Sequence, residues 1–159
     1  MPKRWVSAAI VYALLAMAGG VFFREYTKAV GFAGDTALSL VHVHYLTLGT
    51  LFFLLLALLD KSFGLAGRKG LAGWIGLYHA GLNLTVAGLF VRGLTQAQGA
   101  VLSRGADGAL SGVSGLGHIA LGVSLIALLW MVRKSASGTG TAAVLEKPRK
   151  TSAEPDGIR

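Results

Sequence analysis

The stretch LSLVHVHYLTLGTLFFLLLALL, residues 38–59, contains no Asp, Glu, Lys or Arg and carries two histidines near its beginning. About 20 residues, each rising 1.5 Å along a helix, cross the ~30 Å hydrocarbon core of a bilayer. Backbone amides find no water there, so such a stretch must satisfy its own hydrogen bonds as a helix. Residues 38–59 are therefore predicted to form a transmembrane helix with ionisable groups inside it.

Three further apolar runs of similar length lie at residues 5–23, 71–91 and 112–132. The chain is 53% hydrophobic and only 14% charged, whereas soluble domains contain about 25% charged residues. We therefore predict an all-α fold, an integral membrane four-helix bundle over residues 1–134. Residues 135–159 are rich in Gly, Ser, Thr and charge without an apolar period, which predicts a disordered cytoplasmic tail.

The first run also has features of a cleavable signal peptide. Lys3 and Arg4 precede an apolar stretch that passes through Ala16-Met17-Ala18, and basic residues before an apolar segment with small residues at its end are typical of such signals. The run continues to Phe23, however, which is longer than a usual signal core. We therefore expect the first helix to be retained.

The basic residues predict the orientation. Of 15 Lys and Arg residues, 11 fall before the first run, between the second and third, or after the fourth. The four on the other side are Arg24, Lys28, Arg92 and Arg104. Cytoplasmic loops carry the excess of Lys and Arg, so both termini are predicted to be cytoplasmic in a multi-pass protein of the cell inner membrane. Basic residues that flank apolar runs do not form a nucleic-acid-binding face, so no nucleic-acid partner is expected.

Four histidines are the main ionisable groups inside the predicted helices. By helix rise, His42, His44 and His118 lie roughly 6–9 Å below the outer surface, and His79 lies about 9 Å deeper. Intramembrane ionisable residues are costly and usually face protein or a cavity, which makes the three at one level candidate ligands. His79 shares a helix face with apolar side chains and is predicted to be structural.

The spacing of His42 and His44 restricts what they can bind. Residues two apart on an α-helix point about 200° apart, so one metal ion cannot take both side chains from a regular helix. This pattern differs from the zinc-type pair four residues apart, whose side chains share one face. Either one histidine is idle, or the helix serves two sites.

Small residues recur at three- and four-residue steps on the third and fourth predicted helices. Such stripes allow close approach of a neighbouring helix or a flat cofactor. His118 lies within the second stripe and is therefore a candidate site residue. The stripes are Gly73, Gly76, Ala80, Asn83 and Ala87 on one helix, and Ser111, Gly115, His118 and Gly122 on the other.

Arg24 and Arg92 end the first and third runs on the outer side, one or two turns from the histidine layer. Arg pairs well with carboxylates, so the two could hold the propionates of a heme. They could equally be interfacial anchors that extend to lipid headgroups. The chain has no Cys, which excludes thiolate ligands and disulfides, and no buried acid for a proton relay is expected.

Several stretches together resemble a bacterial family of four-helix membrane proteins classed as a domain of unknown function. The resemblance covers residues 5 to 132 and supports a retained first helix, but it implies no activity. Its residues are Phe22-Phe23-Arg24-Glu25-Tyr26-Thr27-Lys28, His42-Val43-His44-Tyr45-Leu46-Thr47-Leu48-Gly49, Val91-Arg92-Gly93 and Ser114-Gly115-Leu116-Gly117-His118.

The helix that carries His42 and His44, followed by Tyr45 and Gly49, also resembles one in the catalytic subunit of heme–copper oxidases. In that family the two histidines ligate two different hemes on opposite sides of the helix. The subunit contains three groups of four helices, with ligands concentrated on the second helix of each group. This chain lacks the copper-site His-His pair and the cross-linked His–Tyr motif, so the resemblance does not imply oxygen reduction.

The leading hypothesis is a membrane-bound b-type heme protein that assembles as a homo-oligomer, with a trimer favoured. His42 of one chain would pair with His44 of the next, and His118 would be a partner of these ligands or an alternative ligand. Two axial histidines favour electron transfer, with a quinone or another redox partner, and diatomic-gas sensing and heme storage stay open. Two alternatives stay open: a non-heme scaffold or accessory subunit of a transporter, and a copper or zinc site built from the same histidines.

Overall fold

The computed structural model describes residues 2–145, with side chains described for residues 3–137. Four helices make up this part of the chain, which contains no strand. Each helix is long and apolar enough to cross a membrane, which confirms the predicted all-helical architecture and suggests a multi-pass membrane protein. The helices are α1 (Pro2–Ala29), α2 (Leu38–Phe63), α3 (Leu71–Ala97) and α4 (Arg104–Leu145).

The helices extend beyond the apolar runs that predicted them. α2 and α3 begin at Leu38 and Leu71 as expected, but both continue past their predicted ends. Helix α4 runs on to Leu145, beyond Ser135, where the predicted tail begins. Each added helical residue gains one hydrogen bond, and nothing before Pro148 removes a donor. The remainder of the predicted tail, residues 146–159, lies outside the described residues.

The bundle runs up and down. Gly19 of α1 lies against Val41 of α2, while Trp5 of α1 bonds Asp60 near the end of α2, so these two helices are antiparallel. Short loops between consecutive helices impose this arrangement. We call the end at which α1 and α3 begin the basic end, because it carries Lys3, Arg4, Lys61, Arg68, Lys69, Arg133 and Lys134; the opposite end is the far end.

Helix α1 is an integral part of the bundle. Trp5 and Tyr12 are buried, and Tyr12 stacks on Phe53 of α2 with ring centroids 5.7 Å apart. Gly49 of α2 makes this contact possible, because a Cβ there would lie 2.5 Å from the Tyr12 ring. Removing α1 would uncover this aromatic core, which supports a retained first helix.

One acid is buried, contrary to expectation. Asp60 lies in the last turns of α2 and is only 5% exposed. It accepts hydrogen bonds from Trp5 Nε1 at 2.9 Å and from the backbone N–H of Ala66 at 2.6 Å. A carboxylate is kept in such a place by charge-assisted hydrogen bonds. Asp60 thus ties α1 to the loop between α2 and α3.

The close contact between α3 and α4 uses glycines outside the predicted stripes. A Cβ on Gly81 would lie 2.6 Å from the backbone nitrogen of Leu121, and one on Gly117 would lie 2.7 Å from that of Thr85. By contrast, Gly76 and Gly115 have open space at their Cβ positions. Backbones approach most closely where side chains are missing. The glycines of the predicted stripes therefore lie outside this close contact.

Much of the apolar surface is uncovered in the single chain. Only 17 to 39% of each membrane-length apolar window is buried inside the structure. Met17, Val21 and Ile119 are each more than 60% exposed. A soluble monomer does not expose apolar surface on this scale, so lipid or further protein must cover these faces.

Candidate cofactor site and buried polar network

The two histidines of α2 point to different helices. They lie in the regular α-helical segment Leu38–His44, so the 200° geometry applies to them. His42 lies against α1, where a Cβ on Gly20 would be 3.7 Å from the His42 ring. The Nδ1 atom of His42 is buried and has no hydrogen-bond partner in the described structure. His44 instead faces α4.

His44 and His118 form a pair in the half of the bundle nearer the far end. Their ring centroids are 6.3 Å apart, and the two ring planes are perpendicular at 89°. The sequence placed these residues at the same depth, and the structure brings them together within one chain. It does not bring His42 into this pair.

Both rings of the pair are oriented by their own helix. His44 Nδ1 lies 2.9 Å from the carbonyl oxygen of Leu40, and His118 Nδ1 lies 2.8 Å from that of Ser114. A carbonyl oxygen only accepts, so in each bond Nδ1 carries the proton. The lone pair is then on Nε2, the nitrogen further from the backbone. In metal-bound histidines, the hydrogen bond made by the nitrogen that does not bind the metal fixes the tautomer and the direction of the ring.

The separation of the rings suits a shared metal atom. Bonds of about 2 Å to each imidazole, with about 1 Å more to each ring centre, put the centres of two opposed imidazoles roughly 6 Å apart. The observed 6.3 Å agrees with that spacing. The pair therefore has the ligand chemistry, and a ring separation, compatible with one shared metal atom.

The surroundings of His118 leave room for a flat group. Gly115 and Gly122, about one turn to either side, contact no other side chain at their Cβ positions. His118 itself is exposed in the single chain, and His44 is half-buried. The fourth-helix stripe predicted from the sequence is thus an open face next to the histidine pair.

The two candidate arginines differ in their surroundings. Arg92 donates to Asp107 Oδ1 at 3.0 Å and to Ser111 Oγ at 2.8 Å, so it lies at the far end of the His118 stripe. Ser111 and His118 are seven residues apart, which is roughly 10 Å along a helix. Arg24 has an 83% exposed side chain, and its 3.8 Å contact is with the adjacent Glu25. The structure associates Arg92, but not Arg24, with the His118 stripe.

A second polar cluster lies deeper in the bundle. The Tyr12 hydroxyl lies 2.6 Å from His79 Nδ1 and accepts a hydrogen bond from Asn83 Nδ2 at 3.1 Å. Tyr45 donates to Asn83 Oδ1 at 3.1 Å. The His79 ring also stacks on Phe53, with centroids 4.6 Å apart. Four polar side chains from three helices are joined in this network.

Sequence reasoning missed most of this network. It treated His79 as structural, and the structure assigns it hydrogen-bond and stacking partners inside the chain. The available signal was the i, i+4 spacing of His79 and Asn83, which puts two polar groups on one face of an apolar helix. Tyr12 and Tyr45 gave no signal, because aromatic residues in apolar runs are common in cores.

Helix α2 changes from α-helical to π-helical geometry directly after His44. Residues Tyr45–Leu51 form a π-helical segment, a rare feature that often occurs at functional sites. Tyr78 of α3 donates to the carbonyl oxygen of Leu48 in this segment at 2.8 Å. The wider turn of this segment leaves backbone carbonyl oxygens available to other helices, and Tyr78 uses that of Leu48.

Ligand number separates the possible metals. Among the described residues, no group of three or more His, Asp or Glu side chains is placed to hold a metal ion. Zinc sites use three or four protein ligands, whereas a heme iron needs two axial ones. The pair of His44 and His118 supplies fewer ligands than a zinc site uses and as many as the axial positions of a heme.

Comparisons with known proteins agree with the overall architecture without adding an activity. Searches of curated proteins and of solved structures gave no significant match. A family model described as "Protein of unknown function (DUF2871)" matches residues 2–135, which is most of the chain and covers α1 to α3 and α4 as far as residue 135. The chain belongs to this family of unknown function.

Proposed function

We propose that the chain is a membrane-bound b-type heme protein in which His44 and His118 supply both axial imidazoles. The observation that carries this proposal is the pair itself: two rings 6.3 Å apart, each with Nδ1 bonded to a backbone carbonyl. Heme supplies a one-electron redox centre. His44 and His118 would hold its iron through two imidazoles, which would leave no open position for another ligand. This favours electron transfer over binding or conversion of a small ligand.

Arg92 is the propionate partner in this proposal, because it lies at the end of the His118 stripe. Its present partners, Asp107 and Ser111, would have to be rearranged or shared. Arg24 keeps the alternative role of an interfacial anchor. A quinone or another redox carrier of the bilayer is the proposed electron partner, and the distribution of Lys and Arg supports cytoplasmic termini in the inner membrane.

A homo-oligomer remains part of the proposal. The open face around Gly115 and Gly122 and the small buried fraction of each helix leave surface for further copies. In a trimer, His42 of one chain and His44 of the next would be the alternative ligand pair. The unpartnered Nδ1 of His42 lies against α1 inside its own chain, however, which favours ligation by His44 and His118.

Visible spectroscopy tests the proposal and separates the two ligand arrangements. The full chain would be purified in mild detergent, supplied with heme b, and measured oxidised and dithionite-reduced. We expect sharp reduced α and β bands that are lost in His44→Ala and in His118→Ala but kept in His42→Ala. If the bands are lost in His42→Ala but kept in His118→Ala, the ligands are instead His42 of one chain and His44 of the next. A trimeric mass in detergent would support that arrangement.

A wild-type protein that stays colourless after heme is supplied would refute the heme proposal. Bound copper and zinc would then be measured, since imidazole also suits these ions. Absence of metal as well would leave the scaffold or transporter accessory role, with the histidines serving helix packing.

A further inference from the structure

A cavity of about 380 Å³ at the basic end is bordered by three cations. Arg68 and Lys69 come from the loop between α2 and α3, and Lys134 comes from α4, with Met131 as the apolar wall. Within the described part of the chain, no carboxylate pairs with these three side chains. The nearest buried acid, Asp60, already has both oxygens engaged. Within the described residues, the cavity therefore carries a net positive charge.

The loop that carries two of these cations is held in one shape. Gly64, Gly67 and Gly70 all have positive φ, at 61°, 91° and 86°, a backbone conformation that only glycine adopts readily. Leu65 is 1% exposed and anchors the loop to the core. Asp60 accepts the backbone N–H of Ala66. The positions of Arg68 and Lys69 are thus fixed by the fold rather than left to a flexible linker.

The first turn of α3 adds to the positive field. This helix begins at Leu71, immediately after the loop, and is 27 residues long. The N-terminus of a helix presents unsatisfied N–H groups and a partial positive charge. Together with the three cations, it makes the cavity suited to an anionic group such as a phosphate.

Two observations indicate that the anion belongs to a lipid. Trp74 lies in the first turn of α3, and Trp130 of α4 is 54% exposed with the Arg133 guanidinium 5.0 Å from its ring centroid. Tryptophans of this kind mark the level of the headgroups. An apolar groove between α2 and α4 also extends toward the basic end, with Leu59 and Val132 in its lining. A headgroup in the cavity could place an acyl chain in this groove.

We propose that Arg68, Lys69 and Lys134 form a binding site for the phosphate of an anionic phospholipid. The three cations favour a headgroup with net negative charge over a zwitterionic one, in which a cation accompanies the phosphate. Basic pockets between transmembrane helices bind anionic headgroups by this chemistry. The site is at the opposite end of the bundle from the histidine pair, and it does not depend on heme.

Lipid titration of the full-length chain in mild detergent, followed by native mass spectrometry, tests the proposal. We expect phosphatidylglycerol to bind at least tenfold more tightly than phosphatidylcholine. The variant Arg68→Gln/Lys134→Gln should weaken phosphatidylglycerol binding roughly 30-fold, from the electrostatic effect of two basic residues near an anionic headgroup. The control Lys3→Gln/Lys61→Gln removes the same charge from the same end but outside the cavity, and it should stay within twofold of wild type.

Equal weakening in both double variants would overturn the proposal, because it would show diffuse charge rather than a site. Equal affinity for the two lipids would overturn it as well. Displacement of phosphatidylglycerol by inorganic phosphate at the same concentration would show a free-anion site and refute the lipid assignment. If the cavity variant does not purify as a single species, Lys69→Gln compared with Lys61→Gln applies the same criteria, with about fivefold weakening expected.

Discussion

The hydroxyl of Tyr12 is the atom on which the buried network depends most. It contacts His79 Nδ1 at 2.6 Å and Asn83 Nδ2 at 3.1 Å, so Tyr12→Phe removes two hydrogen bonds by deleting one oxygen. Hydrogen bonds between helices in membranes contribute about 0.6 kcal/mol on average and at most about 1.7 kcal/mol. Two such bonds give a loss of about 1 to 3 kcal/mol in the free energy of unfolding.

Tyr78→Phe is the matched control for this prediction. Tyr78 is also a buried tyrosine of the same aromatic cluster, but its hydroxyl makes one hydrogen bond, to the carbonyl oxygen of Leu48 at 2.8 Å. Its loss should cost about 0.6 kcal/mol. Both variants keep the ring, so the difference between them isolates the number of hydrogen bonds.

Reversible unfolding in mixed detergent micelles would measure both free energies. A double-mutant cycle of Tyr12→Phe with His79→Phe, which keeps a ring stacked on Phe53, would then give the coupling between the two residues. We expect a coupling of about 0.6 kcal/mol or more. Equal destabilisation by Tyr12→Phe and Tyr78→Phe, together with zero coupling, would refute the view that the network stabilises the bundle.

Three further substitutions test other contacts. Gly81→Val should lower thermal stability in detergent strongly, because its side chain would collide with the backbone of α4, whereas Gly76→Val meets open space and should change stability little. Trp5→Phe should cost about 1 to 3 kcal/mol of unfolding free energy, since it leaves buried Asp60 with one partner fewer; no loss in denaturant titration would contradict this. Arg92→Gln should lower the affinity for added heme b, measured by absorbance, while the protein that does bind heme keeps its reduced α and β bands. Unchanged affinity would exclude Arg92 as the propionate partner.

Hydropathy predicted the existence and order of the helices, but it did not predict where most of them end. The run that ended at Phe23 belongs to a helix that ends at Ala29, and the run that ended at Val91 belongs to one that ends at Ala97. The length of an apolar run corresponds to the thickness of the hydrocarbon core. A helix continues beyond it as long as its backbone bonds can be made, and polar side chains in water permit that.

The site was predictable in part, for a geometric reason. Helix periodicity indicated that His42 and His44 diverge, and helix rise placed His118 at their level. Neither quantity specifies which helix lies beside which, so the pairing of His44 with His118 within one chain did not follow from the sequence. The network of Tyr12 and His79 was missed for the same reason, because its partners are 67 residues apart.

The two polar constellations are linked through consecutive residues of α2. His44 is the last residue of the regular segment and faces α4, while Tyr45 begins the π-helical segment and donates to Asn83 of α3. Lipid is as apolar as a leucine side chain, so close packing and interhelical hydrogen bonds, rather than burial of apolar area, select the rotation of a helix in a membrane. Packing of Gly49 against the Tyr12 ring and the interhelical hydrogen bonds together fix the rotation of α2, and the bond from Tyr45 is the one nearest in sequence to His44. The buried network accordingly sets the direction in which His44 presents Nε2, which makes it part of the machinery of the proposed heme site.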